Sequence, residues 1–520
     1  MENLQGRSLT IFHYHLARGG VTTVIALSVR ALALHLGQLD RITIVSGRKT
    51  ESDRFSESLA QYRVDDGPEI RVEVCEEIDY LTSDSLDSDE FEHAAEQVRD
   101  VLLSRYGESM WWVHNYHIGK NPIFTESILR IAYSETDQPM LLHIHDFPEC
   151  ARYENLATLN RSLTHPMYPI SPYVKYAVIN DRDRGQLVSA GVPKESVFLL
   201  SNPVDGRGVD RSRAGETKER LSKHFLSDFP RFDPSLPIVL YPIRTIRRKN
   251  VLEAMLIANV SDLPINLVVT LPGVSEPERD YSALVESLFR SGRVRGLWGI
   301  GDELNEAGVS FSELIASSDM IVSTSIQEGF GFLYVDSMLW GLPLLARSID
   351  VLSGIRQLLD VPHVELYDRF DVSVPRTVRD DHRLRYRKQI ETMSVSIGSI
   401  ADELYSKIDR MFDDETVDFS YLDSTQQAAT IEALVNDSGL LGQTRSRNSQ
   451  LLGRLSKLID QSETTVPVSP ERRYSFEGFA ETTDRIMGSF GSGSPGDGSQ
   501  VENHLKRDFA KVEYLRLLYE

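Results

Sequence analysis

The stretch DMIVSTSIQEGFGFLYVDSMLWGLPLLARSI, residues 319–349, decides how the chain is read. DMIVSTS (319–325) has the length and apolar character of a buried strand. QEGFG then breaks the run with two glycines, FLYVDSMLWG follows as a helix, and PLLARSI (343–349) reads as a second buried strand. Strand, glycine turn, helix and strand in this order make a βαβ unit with parallel strands. Asp336 is out of place in it. On a helix it falls between Phe332, Leu333, Leu339 and Trp340, and an unpaired carboxylate on an apolar face is costly to bury. It is expected to face a ligand, with an internal cap or ion pair as the alternative. Glu328 stands just before the glycine turn, where Gly329 and Gly331 free the backbone and a helix N-terminus supplies N–H donors.

The same alternation runs outward in both directions. Strands are expected at 9–15, 41–47, 69–74, 111–115, 140–146, 175–180 and 197–202, with helices at 21–36, 89–105, 122–133 and 181–190. After a Pro-, Arg-, Asp- and Ser-rich break at 203–236 the pattern restarts, with strands at 237–243, 265–271, 294–300, 319–325 and 343–349. The expected fold is α/β, two doubly wound Rossmann-like domains facing a cleft, with ligands outside the carboxyl ends of the strands. The boundaries are 1–205, a linker over 206–236, a second domain over 237–380 and a helical region over 381–487. Composition makes GSFGSGSPGDGSQ (488–500) a flexible linker. A last helix over 501–520, with Val501, Leu505, Phe509, Val512, Leu515 and Leu518 on one stripe, is expected to dock on a domain, such as the first.

Composition narrows the function classes. The chain has 520 residues, 41% apolar and 26% charged, as in a globular protein of more than one domain. A net charge of −21 disfavours nucleic-acid or anionic-membrane partners, so an anionic ligand must be met by local basic groups. Cys75 and Cys150 suggest no disulfide framework and favour a cytoplasmic setting. No run approaches the ~18 apolar residues of a membrane span.

Four further motifs carry chemistry. ARGGVTTVIALSVRAL (17–32) places Gly19 and Gly20 between a strand and a helix, an anion-binding turn or simply a tight connection. PIRTIRRKN (242–250) gathers Arg244, Arg247, Arg248 and Lys249 at a strand's carboxyl end, where one Arg and one Lys suit a diphosphate. HIHDF (143–147) brings His145 and Asp146 to a strand end, and HNYHIGKN (114–121) adds His114, His117 and Lys120. Adjacent His and Asp chelate poorly, so a hydrogen-bonding His and no metal are expected. DSLDSDE (84–90) precedes a helix, where acids are favoured, and is taken as a helix start rather than a metal motif.

In combination these residues resemble a retaining glycosyltransferase of the GT-B fold, similar to glycosyltransferase family 4, over about residues 15–350. The glycine turn, the HDF segment, SNPVD (201–205), the Arg244 and Lys249 pair and EGFG…D match in order. Asp336 stands where the family's E-x7-E signature ends in Glu, and Pro203 where glycine is usual. The resemblance implies that Arg244 and Lys249 hold the donor diphosphate and stabilise the leaving group. Glu328, with the backbone of Phe330 and Gly331, would hold the donor sugar, and Phe332 belongs to the same donor segment. Asp336 would take the ribose hydroxyls, Gly19 and Gly20 would approach the donor phosphates or the acceptor, and His145 would contact the transferred sugar. No cofactor is implied beyond a UDP- or GDP-linked donor substrate, and no metal. The helix at 21–36 has a single basic residue, Arg30, and lacks the basic amphipathic face expected for a lipid acceptor. A soluble acceptor is expected: a sugar, sugar acid or phosphorylated polyol, with Arg18, His117, Lys120, Asp146 and Arg152 as candidate contacts. A homo-oligomer is compatible with the sequence. A nucleotide-sugar epimerase, a sugar phosphorylase, and a non-catalytic sugar-binding or scaffold protein remain alternatives on the same fold.

Overall fold

The near-continuous apolar runs form parallel strands, as expected when helices cover both faces of a sheet. The computed structural model describes residues 7–59, 67–81, 87–205, 209–397, 400–462, 465, 467 and 471–516. Two compact units divide the chain: Met1–Asp205 with Pro470–Ala510, and Gly206–Ser469 with Lys511–Glu520.

The first unit runs β1 (Arg7–Phe12), α1 (Gly20–His35), β2 (Leu39–Ser46), α2 (Lys49–Leu59), β3 (Glu69–Val74), α3 (Ser88–Tyr106), β4 (Met110–His114), α4 (Pro122–Tyr133), β5 (Met140–Ile144), α5 (Tyr153–Ser162), β6 (Val174–Val178), α6 (Asp181–Ser189) and β7 (Val197–Leu199). Among the described residues its sheet has the order β3-β2-β1-β4-β5-β6-β7. The register pairs Leu9 with Met110 and His114 with His143. Leu9, Ile11, Val29, Leu32, Trp112 and Leu141 form its core with Phe479 and Ile486 from the far end of the chain.

The second unit runs α7 (Ala214–Phe225), β8 (Ile238–Arg244), α8 (Val251–Val260), β9 (Asn266–Leu271), α9 (Glu276–Arg290), β10 (Gly296–Trp298), α10 (Phe311–Ala316), β11 (Met320–Ser323), α11 (Phe332–Trp340), β12 (Leu344–Arg347), β13 (Val364–Tyr367) and β14 (Asp371–Ser373). It continues with α12 (Arg376–Ile397), α13 (Ile400–Asp413), β15 (Thr416–Asp418), α14 (Ser424–Asn436), α15 (Ser438–Arg447) and α16 (Ser449–Asp460). Its main sheet has the order β10-β9-β8-β11-β12-β13, and β14 pairs antiparallel with β15. α17 (Phe476–Met487) and α18 (Val501–Asp508) belong to the first unit.

Several boundaries differ from the sequence expectation. The expected linker at 206–236 contains α7, whose Thr217, Leu221 and Phe225 are buried. The helical region expected over 381–487 starts earlier, at Arg376, and its last helix, α17, folds with the first unit. Residues 488–500 are largely exposed but tethered rather than free: Gly491 and Gly496 donate backbone hydrogen bonds to Pro172 and Ile170, and Lys175 Nζ donates to the Ser492 carbonyl. A Cβ on Gly498 would lie 2.0 Å from the Tyr168 carbonyl oxygen, so this glycine serves close approach. The last helix stops at Asp508, with Val501, Leu505 and Phe509 buried, and the chain then passes to the second unit. Leu518 lies outside the described residues, as do residues 84–86 of the acidic run. Asp87 caps α3 in a reciprocal pair with Glu90, the helix-start role expected of that run. Among the described residues no helix is long and apolar enough to cross a membrane.

Candidate functional site

In the second unit the chain lays β8, β9 and β10 in one direction from the centre of the sheet and β11, β12 and β13 in the other. The loops after β8 and β11 therefore diverge and leave a crevice at the carboxyl ends. These are the two loops with the basic and EGFG motifs.

After β8 the chain makes a short turn over Arg247–Lys249, and Asn250 adopts a left-handed conformation (φ 52°) before α8. Both sides of the crevice fix this turn. Tyr241 Oη donates to the Lys249 carbonyl at 2.7 Å, Thr324 Oγ1 to the carbonyls of Lys249 and Asn250 at 3.1 and 2.9 Å, and the Ile326 N–H to that of Arg248 at 2.9 Å. Arg247 turns inward and donates to the Leu422 carbonyl. Arg248 and Lys249 turn to Glu328: Arg248 Nη1 lies 3.0 Å from Glu328 Oε2, and Lys249 Nζ pairs with Oε1.

Burial opposes charge on both partners, with different outcomes. Burial holds the Lys249 ammonium down to about 8, against the attraction of Glu328 and with help from the like charges of Arg248 and Arg244. Burial would raise Glu328, yet Lys249 and Arg248 together outweigh it and hold the carboxyl at about 2. The carboxylate answers to two cations, whereas the ammonium shares one anion with an arginine. Arg244 pairs elsewhere, with Glu278 at 3.1 Å, at the capped start of α9.

The EGFG turn leads into α11. Gly331 caps this helix at φ 80°, where a Cβ would sit 3.0 Å from the ring of Tyr334. Tyr334 cannot retreat, because it is fully buried and its hydroxyl donates to the Arg347 carbonyl at 2.9 Å. Phe330 and Phe332 meet edge to face at 4.9 Å. Asp336 is partly buried on α11, and burial alone pushes its carboxyl up to about 7. It has no hydrogen-bond or ion-pair partner among the described residues, so the internal alternatives weighed from sequence are absent there.

Beneath the turn lies a network that sequence reasoning missed. Asn250 Nδ2 donates to Glu253 Oε2 at 2.9 Å. Glu253 also pairs with Arg347 at 2.7 Å and accepts from Tyr367 Oη at 2.6 Å, and Arg347 pairs with Asp418 at 2.8 Å. Arg347 and Glu253 are 0% exposed. Two carboxylates, Glu253 and Asp418, share the one Arg347 guanidinium, and through Glu253 the network fixes Asn250 and with it the position of Lys249.

The first unit reverses between β1 and β4 in the same way. Gly19 is extended (φ 178°), and a Cβ on Gly20 would meet nothing within 4 Å, so neither glycine is required by backbone strain or local packing; both are exposed, with Arg18. At the ends of β4 and β5 the structure brings His114, His143 and His145 together, with His114 Nδ1 2.8 Å from His145 Nε2. Burial pushes His145 down to about 4 and His13 to about 3, and His114 and His143 well below the ordinary value, so the set is neutral. Asn115, at φ 52°, accepts from the N–H groups of His145 and Asp146 through Oδ1 and so shapes the HDF loop. Three imidazoles within 4.8 Å are a potential metal set. Against it, Trp112 Nε1–H donates to His143 Nδ1 at 3.1 Å, which places the proton of His143 on Nε2 and leaves that ring no lone pair for a metal in this arrangement.

His117 is fully buried, is held down to about 3 by burial, and packs against Tyr116, Phe147 and Tyr168. Its surroundings are those of a core side chain rather than of the exposed acceptor contact expected. Asp146 pairs with Arg152 at 3.4 Å, and Arg152 in turn depresses Lys120, after burial.

Two doubly wound units, each reversing its strand order at the centre of the sheet, make the GT-B architecture. The chain is 30% identical to the mannosylglucosyl-3-phosphoglycerate synthase of Petrotoga mobilis over 527 residues, 98% of this chain and 99% of that one. It belongs to that family of glycosyltransferases. No family model matches. Solved structures with a similar trace include the HepE protein of Anabaena in complex with UDP-glucose (15% identity, TM-score 0.47, covering 86% of this chain and 99% of that one). A sucrose-phosphate synthase from Thermosynechococcus elongatus is another (13% identity, TM-score 0.46, covering 92% and 98%).

Proposed function

We propose that the protein transfers a hexosyl group from a UDP- or GDP-linked sugar to a soluble, phosphorylated glycoside, with retention of anomeric configuration. The observation that carries the donor half is the Arg248–Glu328–Lys249 cluster at the switch point of the second sheet. The acceptor class follows from the relative's name: a phosphoglycerate that already bears a glucosyl group. In this reading Lys249 and Arg244 take the diphosphate and stabilise the charge that develops as it leaves, so the chain's own cations do the electrostatic work. Glu328, kept ionised by Lys249 and Arg248, accepts from the donor sugar's hydroxyls through its remaining lone pairs. Gly329, Phe330, Gly331 and Phe332 line the donor, and Asp336 accepts from the ribose hydroxyls. His145, neutral and oriented by His114, meets the transferred sugar as hydrogen-bond partner, not as a charge.

A carboxyl held at about 2 between two cations is a weak base and a weak nucleophile, so Glu328 suits charge stabilisation better than covalent catalysis. The acceptor proton then passes to the departing phosphate, on the face the acceptor attacks, which retains configuration. The test is incubation of GDP- and UDP-hexoses with glucosyl-3-phosphoglycerate, with the product's anomeric coupling read by NMR. Retained configuration is expected; inversion would overturn the mechanism, and epimerised donor without any acceptor would favour an isomerase.

A further inference from the structure

Three loops at the carboxyl edge of the first sheet converge on Tyr80, which stands on a fourth, after β3. Lys120, after β4, places Nζ 5.5 Å from the centre of the Tyr80 ring, and the Arg48 guanidinium, after β2, lies 5.3 Å from it. His15, after β1, accepts the Ala17 N–H at Nδ1, so its proton is on Nε2, which reaches Tyr80 Oη at 3.0 Å. The site is built rather than incidental. Asn121 Nδ2 donates to the carbonyls of Glu77 and Asp79, and the Leu81 N–H to the Lys120 carbonyl, which ties the loop after β3 to the start of α4. Gly119 turns at φ 74°, where a Cβ would lie 2.8 Å from Asn155.

The acids of this region are assigned. Asp79 and Glu51 pair with Arg48, and Asp146 with Arg152. Lys120 has no carboxylate partner among the described residues; it is half-buried beside a second cation, Arg152. A desolvated ammonium next to a guanidinium, over an aromatic ring, lacks only an anion.

We propose that Lys120, with Arg152, Arg48, Tyr80 and His15, forms the pocket that takes the phosphate of the acceptor. The assignment rests on the function proposed above and adds Arg48, Tyr80 and His15, none of which the sequence pointed to. Phosphate and carboxylate share this chemistry, and the more highly charged phosphate gains most from Lys120, the one of the three cations with no carboxylate partner among the described residues.

The experiment compares glucosyl-3-phosphoglycerate with its dephosphorylated counterpart, glucosylglycerate, as acceptors for the wild type, Lys120→Met, Arg152→Met and Lys120→Arg. Wild type is expected to favour the phosphorylated acceptor. Lys120→Met should raise its KM by about tenfold to a hundredfold, the loss of one charge-assisted contact, and move the KM of glucosylglycerate little. Lys120→Arg should restore part of the discrimination. An unchanged kcat at saturating acceptor and an unchanged melting temperature show that each variant is folded. A wild type indifferent to the phosphate refutes the phosphorylated acceptor itself. A wild type that requires it, with both Met variants still discriminating, refutes this pocket while the function stands. His15 gives a readout without turnover: burial, Arg48 and Lys120 hold its pKa down, so 3-phosphoglycerate as a probe should raise it in the wild type and less so in Lys120→Met. An unmoved His15 titration overturns the proposal.

Discussion

Asp336→Asn is expected to stabilise the protein above neutral pH and to matter progressively less toward acid. Burial lifts this carboxyl from the ordinary 3.8 to about 7, with no partner among the described residues to offset it. Roughly three units at ~1.36 kcal/mol each set a ceiling of about 4 kcal/mol, of which solvent access at a partly exposed side chain leaves about 1–3 kcal/mol. The sign follows from proton binding. Between pH 3.8 and about 7 the folded protein keeps a proton that the unfolded chain has released, so this group's contribution falls as pH rises through the window. Above about 7 the penalty is complete, and below 3.8 it vanishes. Asparagine resembles the protonated acid at every pH. Melting curves of both proteins in buffers from pH 5 to 8.5 should therefore separate with rising pH and plateau above about 7, with the variant higher by several degrees. A variant no more stable than wild type at pH 8 would refute the claim that the carboxylate is unpaired. The ligand side is separable: free nucleotide diphosphate should bind the variant at least about tenfold more weakly, because the ribose loses an ionised acceptor. Wild-type donor affinity should rise with pH through about 7 as Asp336 ionises.

Lys249→Ala should reduce transfer by at least about a hundredfold, the scale of a lost transition-state charge contact; wild-type-like kcat would remove Lys249 from the site. Lys249 also sets an alkaline limit. With its ammonium held at about 8, kcat/KM should fall above that pH, and a flat profile to pH 9.5 would contradict it. Gly331→Ala forces a Cβ against the pinned Tyr334 ring at a left-handed position, at a cost of about 1–2 kcal/mol, visible as a lower melting temperature. Arg347→Met leaves Glu253 and Asp418 buried without their cation and should cost about 3–5 kcal/mol in chemical unfolding, a loss much smaller if the network is hydrated.

The parallel strands and both glycine turns were legible because buried strands and α/β turns leave one-dimensional signals, apolar runs ended by glycine. Other features left no such signal. Arg248 and Lys249 are neighbours in a basic run, and only the turn geometry aims both at Glu328 while Arg247 points inward. Arg347 is the lone charge in an apolar strand, and its partners Glu253 and Asp418 are distant in sequence. His117 looked like a polar loop residue, but the turn after β4 folds it under Tyr168. The start of α12, at Arg376 and not 381, was blurred because RTVRDDHRLRYRKQIETMSVSI is dense in charge and thin in apolar periodicity. The Gly-Ser stretch at 488–500 misled because composition cannot tell glycine used for freedom from glycine used for close approach.

The discontinuity of the first unit has a consequence for biosynthesis. Phe479 and Ile486 complete its core, and α17 packs on α1, yet both are translated after nearly all of the second unit. The surface of α1 stays uncovered until residues past 487 leave the ribosome, and the second unit in turn waits for Val512, Tyr514 and Leu515, which are buried in it. Domain-by-domain folding in order of synthesis is thereby blocked: the C-terminal segment completes both units, the first with α17 and α18 and the second with the residues after Ala510. Chains truncated near residue 465 should leave both units protease-sensitive, each becoming resistant only when the C-terminal segment is supplied.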